Sequence, residues 1–273
     1  MEHLEHFQGD YGHYQLQMTA DGSYSLFSEN FQEATHAKEG AQAETDLYYI
    51  QGTQLLAKAQ VHAKKGTTLS VLEVGFGTGL GYERTIHYLS TIPELHLSYV
   101  ALEMDLAMVL KMKEWRGRFN QSEGPYPQIQ DLVFDGKNLR AETKYGTLQI
   151  VMGDARQTLQ SLSGPFEVIY QDAFSPLKNP HLWTHQWFAD LKKRSHSSVR
   201  LSTFSGASRM RKSLLYAGWF VQEGATFGPK RTSTVAFLEG ESSPSLLAKL
   251  ERSAVPMLCD ENLRAEKGGV TNE

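Results

Sequence analysis

Short β-branched segments alternate with segments of helical periodicity, and this alternation limits the possible folds more than any other feature of the chain. Predicted strands lie at 69–74, 97–102, 148–152, 166–170, 200–204, 219–223 and 232–238. Predicted helices lie at 80–89, 105–115, 156–162, 180–193 and 207–217. Such alternation predicts an α/β fold with a Rossmann-like, doubly wound, mainly parallel sheet of seven strands. In sheets of this kind, ligands bind beyond the carboxyl ends of the strands.

The segments on either side of this pattern predict additional elements. Residues 14–26 alternate with a period of two around Asp21-Gly22, which is typical of a β-hairpin. Residues 44–65 follow helical spacing up to Gly66 and predict one amphipathic helix. Residues 117–145 predict an irregular insertion. We therefore divide the chain into an N-terminal extension (1–43), a main domain (44–240) and a C-terminal helix with a polar tail (241–273).

Composition limits the functional class. A formal net charge of −4 excludes a generally basic nucleic-acid coat protein, although a local basic patch remains compatible with it. The sequence has no apolar stretch of the ~18 to 20 residues that a membrane span needs, and its first ten residues are too polar for a signal peptide. The single cysteine, Cys259, permits no internal disulfide. These features predict a cytoplasmic protein without a membrane partner.

A glycine-rich segment, Glu73-Val-Gly75-Phe76-Gly77-Thr-Gly79, separates the first predicted strand from a helix. Glycines allow close approach of a ligand to the backbone, and the start of a helix offers free N–H groups. The spacing is G-x-G-x-G instead of the G-x-G-x-x-G of dinucleotide folds. A carboxylate at Glu73 would repel a pyrophosphate but attract an ammonium or sulfonium group. The pattern therefore favours S-adenosylmethionine over NAD, although a purely structural tight turn stays open.

Two further acidic residues follow the next two strands of the predicted sheet. Glu103, with Met104, ends the second strand, at the position where ribose hydroxyls would lie. Asp154, with Ala155, follows the third strand and is a candidate for contact with the adenine amino group. The alternatives are that the glutamates are solvated strand ends or ion-pair partners and that Asp154 only caps the next helix.

A loop rich in chemically versatile side chains follows the fourth strand. Within it stand Asp172, Phe174, Lys178, Asn179 and Trp183. Such a density of polar and aromatic residues at the ligand-binding edge of the sheet predicts a substrate site. The alternative is that Asp172 caps a turn while both aromatic side chains pack in the core.

Three motifs together resemble the methyltransferase half of the bifunctional MnmC family, which makes 5-methylaminomethyl-2-thiouridine in tRNA. They are EVGFGTG at 73–79, DAFSPLKNPHLWT at 172–184 and FGPKR at 227–231, and the likeness covers about 24–238. The resemblance implies a class I methyltransferase fold, S-adenosylmethionine as the methyl donor and the amine of a 5-aminomethyl wobble uridine as the acceptor. The donor would be held by Glu73, Gly75, Phe76, Gly77, Gly79, Glu103, Met104, Asp154 and Ala155.

On the acceptor side, the resemblance places Asp172 opposite the amine. The aromatic residues expected to stack on an everted base are Phe174, Trp183 and Phe227, and the alternative is that they pack in the core. Lys178, Asn179, Lys230 and Arg231 would complete the tRNA site, and the outer residues Lys192, Lys193, Arg194, Arg209, Arg211 and Lys212 either widen a basic patch or form a solvated face. The family's oxidase half has no counterpart in this sequence, so a separate enzyme is expected to supply the free amine.

The expected chemistry limits what Asp172 can do. Methyl transfer needs an unprotonated amine, and the ordinary pKa values of a carboxylate (~3.9) and an alkylammonium (~10.4) make direct proton transfer unfavourable by roughly 9 kcal/mol. We therefore expect Asp172 to orient the amine. It could act as the base only if its surroundings raise the pKa of its carboxyl. The alternative functions are a small-molecule amine methyltransferase, an aminopropyltransferase-like enzyme, or a non-catalytic S-adenosylmethionine-binding module. His181 and His185 have metal-ligand spacing but no apparent third ligand, so no metal is predicted.

Overall fold

The structure is a computed structural model that describes residues 5–119, 129, 131–228 and 232–263, including all their side chains except those of 116–119. The strands are β1 (His6–Gly9), β2 (Gly12–Met18), β3 (Tyr24–Ser28), β4 (Glu33–Ala34), β5 (Thr68–Val74), β6 (His96–Glu103), β7 (Val133–Phe134), β8 (Asn138–Thr143), β9 (Gly146–Met152), β10 (Phe166–Gln171), β11 (Ser195–Thr203), β12 (Phe220–Glu223) and β13 (Thr234–Phe237).

The α-helices are α1 (Ala41–Thr45), α2 (Leu55–Lys65), α3 (Leu80–Leu89), α4 (Leu106–Phe119), α5 (Ala155–Thr158), α6 (His185–Lys193), α7 (Ser208–Tyr216) and α8 (Pro244–Arg252). A π-helix spans Asp46–Gln51, and 3₁₀ helices span Leu159–Ser161 and Pro180–Trp183. None of the helices described is long and apolar enough to cross a lipid bilayer.

The central sheet confirms the predicted fold class. Its order is β12-β13-β11-β10-β5-β6-β9-β8-β7, and β11, β10, β5, β6 and β9 run parallel. All seven predicted strands belong to it. The chain order reverses between β5 and β10, where Val74 pairs with Gln171, and this switch point is where a doubly wound sheet opens a crevice for a ligand.

The insertion at 117–145 is more regular than predicted. Its described part contains β7 and β8, which extend the sheet beyond β9 by antiparallel pairing. In β8, the buried Leu139 and Ala141 alternate with the exposed Arg140 and Glu142, a period of two that sequence analysis missed among the glycines and charges. Residues 120–128 and 130 lie outside the described part of the chain.

The predicted N-terminal hairpin is confirmed as β2 and β3, within a four-stranded antiparallel sheet ordered β1-β2-β3-β4. Asp105, at the carboxyl end of β6, ties this small sheet to the central one. Its carboxylate is 1% exposed and accepts hydrogen bonds from the N–H groups of Asp10 (3.0 Å) and Tyr11 (3.1 Å) and from the hydroxyl of Tyr14 (3.0 Å). The small sheet therefore lies against the ligand-binding edge of the central sheet. The domain limits at 43 and 240 stay predictions.

The single helix predicted over 44–65 is wrong, although its end at Gly66, with φ +61°, is confirmed. Three segments replace it: α1, the π-helix and α2, with a break in which Gln54 adopts φ +57°. A Cβ at Gly52 would lie 2.4 Å from Oγ of Ser202, so the break permits close packing on β11. The helix predicted over 180–193 is also divided, because Thr184 caps α6 by accepting a hydrogen bond from Trp187 N–H.

Candidate active site

A cavity of about 420 Å³ lies beyond the carboxyl ends of β5, β6, β9 and β10, and the small N-terminal sheet forms its opposite wall. This volume suits a small-molecule ligand. The cavity brings together most of the predicted site residues: Glu73, Gly75, Phe76, Gly77, Glu103, Met104, Asp154, Ala155, Asp172, Phe174 and Asn179.

The glycine-rich loop adopts the backbone conformations that require glycine. Gly75 and Gly77 have φ of +92° and +52°, in the region that side chains disfavour. A Cβ at Gly75 would lie 2.8 Å from the carbonyl oxygen of Asp172, so the missing side chain lets the two predicted loops touch. Gly79 differs, since it lies outside the cavity lining and a Cβ there would meet Ile129 and Phe76. The glycine-rich segment therefore forms a tight turn and also lines the cavity.

Glu73 is buried at the base of the cavity and is not a solvated strand end. Its side chain is 1% exposed, and Oε2 accepts a hydrogen bond of 2.9 Å from the hydroxyl of Tyr99. Burial raises the pKa of the Glu73 carboxyl well above its usual range, and the nearby charge of Asp172 raises it further. A cationic ligand in the cavity would favour the ionised form of this carboxyl.

Glu103 joins the glycine-rich loop to the end of β6. Oε2 accepts a hydrogen bond from Gly77 N–H (3.1 Å), and Oε1 accepts from Met104 (2.7 Å) and Asp105 (3.1 Å). Burial raises the pKa of the Glu103 carboxyl, although these three N–H groups act in the opposite direction. A carboxylate has about four acceptor positions, and these three N–H groups occupy three of them, so Glu103 can accept about one further hydrogen bond, such as that of a ribose hydroxyl.

Asp154 caps a helix and also lines the cavity, while its contact with an adenine amino group stays a prediction. Its Oδ1 accepts a hydrogen bond of 2.9 Å from Arg156 N–H and so caps α5, while the exposed side chain lines the cavity. Arg156 also lines the cavity, but its guanidinium forms a bidentate ion pair with Asp260, at 2.7 and 2.5 Å. The C-terminal segment is thereby attached to the cavity rim.

The part of the cavity wall that contains Asp172 has a hydrogen bond that was not predicted from the sequence. The hydroxyl of Tyr49 donates to Oδ1 of Asp172 at 2.5 Å, and both residues line the cavity. Tyr49 is 2% exposed, and burial together with the charge of Asp172 raises its pKa well above the usual value. Tyr49 is therefore a neutral donor. Its position in what looked like an ordinary amphipathic helix offered no signal of this role.

Residues in and just before β4, which were not predicted from the sequence, line the cavity next to the loop after β10. Phe31 stacks on Phe174 with ring centroids 4.1 Å apart and planes 17° apart. The carboxylate of Glu33 accepts a hydrogen bond of 2.9 Å from the N–H of Ser175. These contacts join β4 and the turn before it to the loop after β10, and Thr35 and His36 line the same wall.

Three predicted acceptor residues lie outside the cavity lining. Trp183 is completely buried and its Nε1–H donates to the carbonyl of Phe174, so it braces the loop from within the core. Phe227 packs edge-on against Tyr48. Lys178 is exposed next to the cavity loop. Lys230 and Arg231 fall outside the described residues.

Several of the outer basic residues have structural partners. Arg211 is 2% exposed and donates hydrogen bonds to the Thr232–Thr234 backbone and side chains and to Glu223, so it is not available to a phosphate. Lys212 donates to the carbonyls of Ser253 and Val255, and Lys192 donates to that of Gly218. Arg211 therefore has a structural role, whereas Lys192 and Lys212 remain at the surface with one or two backbone carbonyls as partners.

Carboxylates dominate the electrostatics of the cavity. They are Glu33, Glu44, Glu73, Glu103, Asp154 and Asp172. An acid-lined cavity attracts a ligand with ammonium and sulfonium groups and an amine that approaches it. In the part of the chain that the structure describes, no group of three or more His, Cys, Asp or Glu side chains is arranged to hold a metal ion.

Comparison with known proteins identifies the family. Residues 120–239 match a family model described as S-adenosyl-L-methionine-dependent methyltransferase. The crystal structure of MNMC2 from Aquifex aeolicus superposes with a TM-score of 0.72 and 26% identity, over 92% of this chain and 81% of that one. The chain is an MnmC-like, S-adenosylmethionine-dependent methyltransferase. This identification confirms the predicted fold and methyl donor.

A second relative of the MnmC family matches over only part of its own length. The bifunctional protein MnmC from Ralstonia nicotianae is 30% identical over 233 residues, which cover 81% of this chain and 34% of that protein. The chain thus spans about a third of the length of the curated MnmC relatives that it matches. Spermidine synthase from Thermotoga maritima superposes with a TM-score of 0.55 at 12% identity, a likeness of fold alone.

The cavity of the MnmC-like chain fits S-adenosylmethionine. The left-handed Gly77 leaves room for a ligand against the backbone, since nothing lies within 4 Å of its Cβ position, whereas Gly75 packs against the backbone of Asp172. Glu73, Glu103 and Asp154, at the ends of three adjacent strands, are the residues that would bind its cationic and hydroxyl groups.

Proposed function

We propose that the chain transfers the methyl group of S-adenosylmethionine to the exocyclic amine of a 5-aminomethyl uridine at the wobble position of tRNA. The acceptor follows from the relatives, which are named as tRNA 5-methylaminomethyl-2-thiouridine biosynthesis proteins. The observation that carries the proposal is the carboxylate of Asp172, which Tyr49 holds at the cavity wall beside Gly75. An amine bound to this carboxylate would lie next to the glycine-rich loop.

The residues of the chain then divide into two groups. Glu73, the glycine-rich loop, Glu103 and Asp154 bind the donor, which supplies a methyl group on a cationic sulfur. Asp172 accepts a hydrogen bond from the amine and orients the nitrogen lone pair, and positioning of this kind accounts for much of the rate of a direct displacement. Phe31 and Phe174 offer an aromatic wall for a uracil that has left its stack.

The proposal has consequences for partners. The acceptor must be a primary amine, so a second active site has to release that amine from a modified precursor before methylation. Lys178, Lys230 and Arg231 are proposed to contact tRNA phosphates, and a cytoplasmic location accords with a tRNA substrate.

A second candidate function is methylation or aminopropylation of a free polyamine. The six carboxylates around the cavity support it, because they would attract a small polycation. The spermidine synthase likeness adds only that the fold is compatible.

The two candidates are separated by offering both acceptors to one preparation. The purified protein is incubated with methyl-labelled S-adenosylmethionine and either tRNA that bears free 5-aminomethyl uridine or putrescine; decarboxylated S-adenosylmethionine with putrescine tests aminopropyl transfer. We expect label only in tRNA, and only when the primary amine is present. Label in putrescine, or formation of spermidine, would instead support the polyamine enzyme.

A further inference from the structure

The hydrogen bond between Tyr49 and Asp172 joins residues that are 123 positions apart in the sequence. Asp172 follows β10, and its N–H donates to the carbonyl of Val74 at the end of β5. Tyr49 lies in the π-helix (Asp46–Gln51), outside the central sheet. The carboxylate is thus attached through its backbone to the central sheet and through Oδ1 to an element from outside that sheet.

Tyr49 has little freedom to move. Its ring packs against Tyr170 at a centroid distance of 5.2 Å, and Tyr170 is itself fixed by a hydrogen bond of 2.9 Å to Thr85. The hydroxyl of Thr53 donates to the carbonyl of Tyr49 at 2.6 Å. Because the surrounding contacts hold the ring, its hydroxyl is a fixed point from which the carboxylate can be oriented.

The π-helix explains how the tyrosine reaches the cavity. Tyr48, Tyr49 and Ile50 are three consecutive residues, and all three are buried. A regular α-helix rotates by about 100° at each residue and would expose part of such a run on a helix that lies on the surface of a sheet. The wider turn of a π-helix, which is frequent at functional sites, brings the run inward.

We propose that Tyr49 is a positioning residue for methyl transfer, whose hydroxyl fixes the orientation of the Asp172 carboxylate towards the acceptor amine. This inference rests on the proposed role of Asp172. The tyrosine remains neutral and exchanges no proton; it acts only by keeping one carboxylate oxygen in place. Loss of the hydroxyl leaves the donor site intact and widens the range of orientations that the carboxylate adopts.

The test is Tyr49→Phe, which removes the hydroxyl and keeps the ring. We expect kcat to fall about 10- to 100-fold, the usual range for loss of a hydrogen bond to a charged group, while the donor Kd and the Tm stay close to wild type. The matched control is Tyr88→Phe, which removes a hydrogen bond of 3.1 Å to Asp46 outside the cavity and should leave kcat unchanged. A wild-type kcat in Tyr49→Phe, or a parallel loss of donor affinity and Tm, would overturn the inference.

A double-mutant cycle with Asp172→Asn distinguishes a role of Tyr49 through Asp172 from a role in stability alone. If Tyr49 acts through Asp172, the double variant should be no slower than Asp172→Asn alone, since residues that act as one unit are not additive. If the double variant instead lost kcat by the product of the two single losses, while the wild-type protein was active, the inference would be overturned. A wild-type protein that methylates no amine would instead overturn the proposed function, and the inference with it.

Discussion

A Cβ atom added at Gly81 would lie 2.0 Å from Oε1 of Glu73. Gly81 belongs to the first turn of α3, and Glu73 belongs to β5, so the absence of a side chain in the helix makes room for the buried carboxylate. The opposite oxygen of Glu73 accepts the hydrogen bond from Tyr99. The carboxylate therefore cannot move aside without losing that hydrogen bond.

Gly81→Ala should weaken donor binding. Alanine stabilises a helix by about 1 kcal/mol relative to glycine, but here it displaces Glu73, so we expect the Kd for S-adenosylmethionine to rise at least tenfold. Isothermal titration calorimetry measures it. Gly66→Ala is the control: it places a side chain at φ +61° with nothing within 4 Å, which should reduce stability but leave the Kd unchanged. Wild-type affinity in Gly81→Ala would refute the role of this contact.

Glu73 should make the ligand-free protein less stable as pH rises. Its pKa in the folded state lies above the usual 4.5, so the folded state retains a proton that the unfolded state has lost. The stabilising contribution is complete below pH 4.5 and is lost as pH rises towards the folded-state pKa. Urea unfolding should therefore show a smaller decline in the free energy of unfolding between about pH 5 and about pH 7 for Glu73→Gln than for wild type. The exposed Glu251→Gln should follow wild type, and identical slopes for all three proteins would contradict the prediction.

Phe31→Ala should weaken acceptor binding and spare the donor. Stacking of a base on an aromatic ring contributes about 1–3 kcal/mol, so we expect the KM for tRNA to rise at least fivefold while the Kd for S-adenosylmethionine stays constant. Phe134→Ala serves as the control, because this exposed phenylalanine on β7 lies outside the cavity lining. An unchanged KM in Phe31→Ala would exclude Phe31 from the acceptor site.

Asp260→Ala should release the C-terminal segment from the cavity rim. The ion pair with Arg156 lowers the pKa of the Asp260 carboxyl, and its removal leaves a partly buried guanidinium unpaired, which should cost about 1 kcal/mol of stability. Amide hydrogen exchange over 258–263 should become faster. Asp190→Ala, which removes a more exposed pair with Lys193, is expected to change neither quantity appreciably. Unaltered exchange in Asp260→Ala would show that other contacts hold the segment.

The acidic residues at the strand ends were predictable because they depend on local sequence patterns. β-branched runs such as that before Glu73 mark buried strands, and the known direction of parallel strands then places Glu73, Glu103, Asp154 and Asp172 at one edge. The glycines at 75 and 77 also have a local cause, the left-handed backbone of the loop.

The acceptor side was not predictable in the same way, because its parts meet only through tertiary packing. Tyr49 reaches Asp172 through a π-helix that helical periodicity does not reveal, and Phe31 and Glu33 come from a small sheet whose placement depends on Asp105. The loop after β10 shows the same limit: Phe174 and Trp183 are both aromatic, yet one lines the cavity and the other is buried beneath it. Composition does not distinguish these two environments.

The most direct test of the account is to identify the labelled nucleoside formed by wild type and by Asp172→Asn. Both proteins are incubated with methyl-labelled S-adenosylmethionine and tRNA from cells that lack this methylation, and the tRNA is digested to nucleosides and analysed by mass. We predict that wild type places the label in the 5-methylaminomethyl group of the wobble uridine. Asp172→Asn should do so at least tenfold more slowly, with an unchanged donor Kd. Label in another nucleoside, absence of label with tight donor binding, or equal rates for the two proteins would contradict the account.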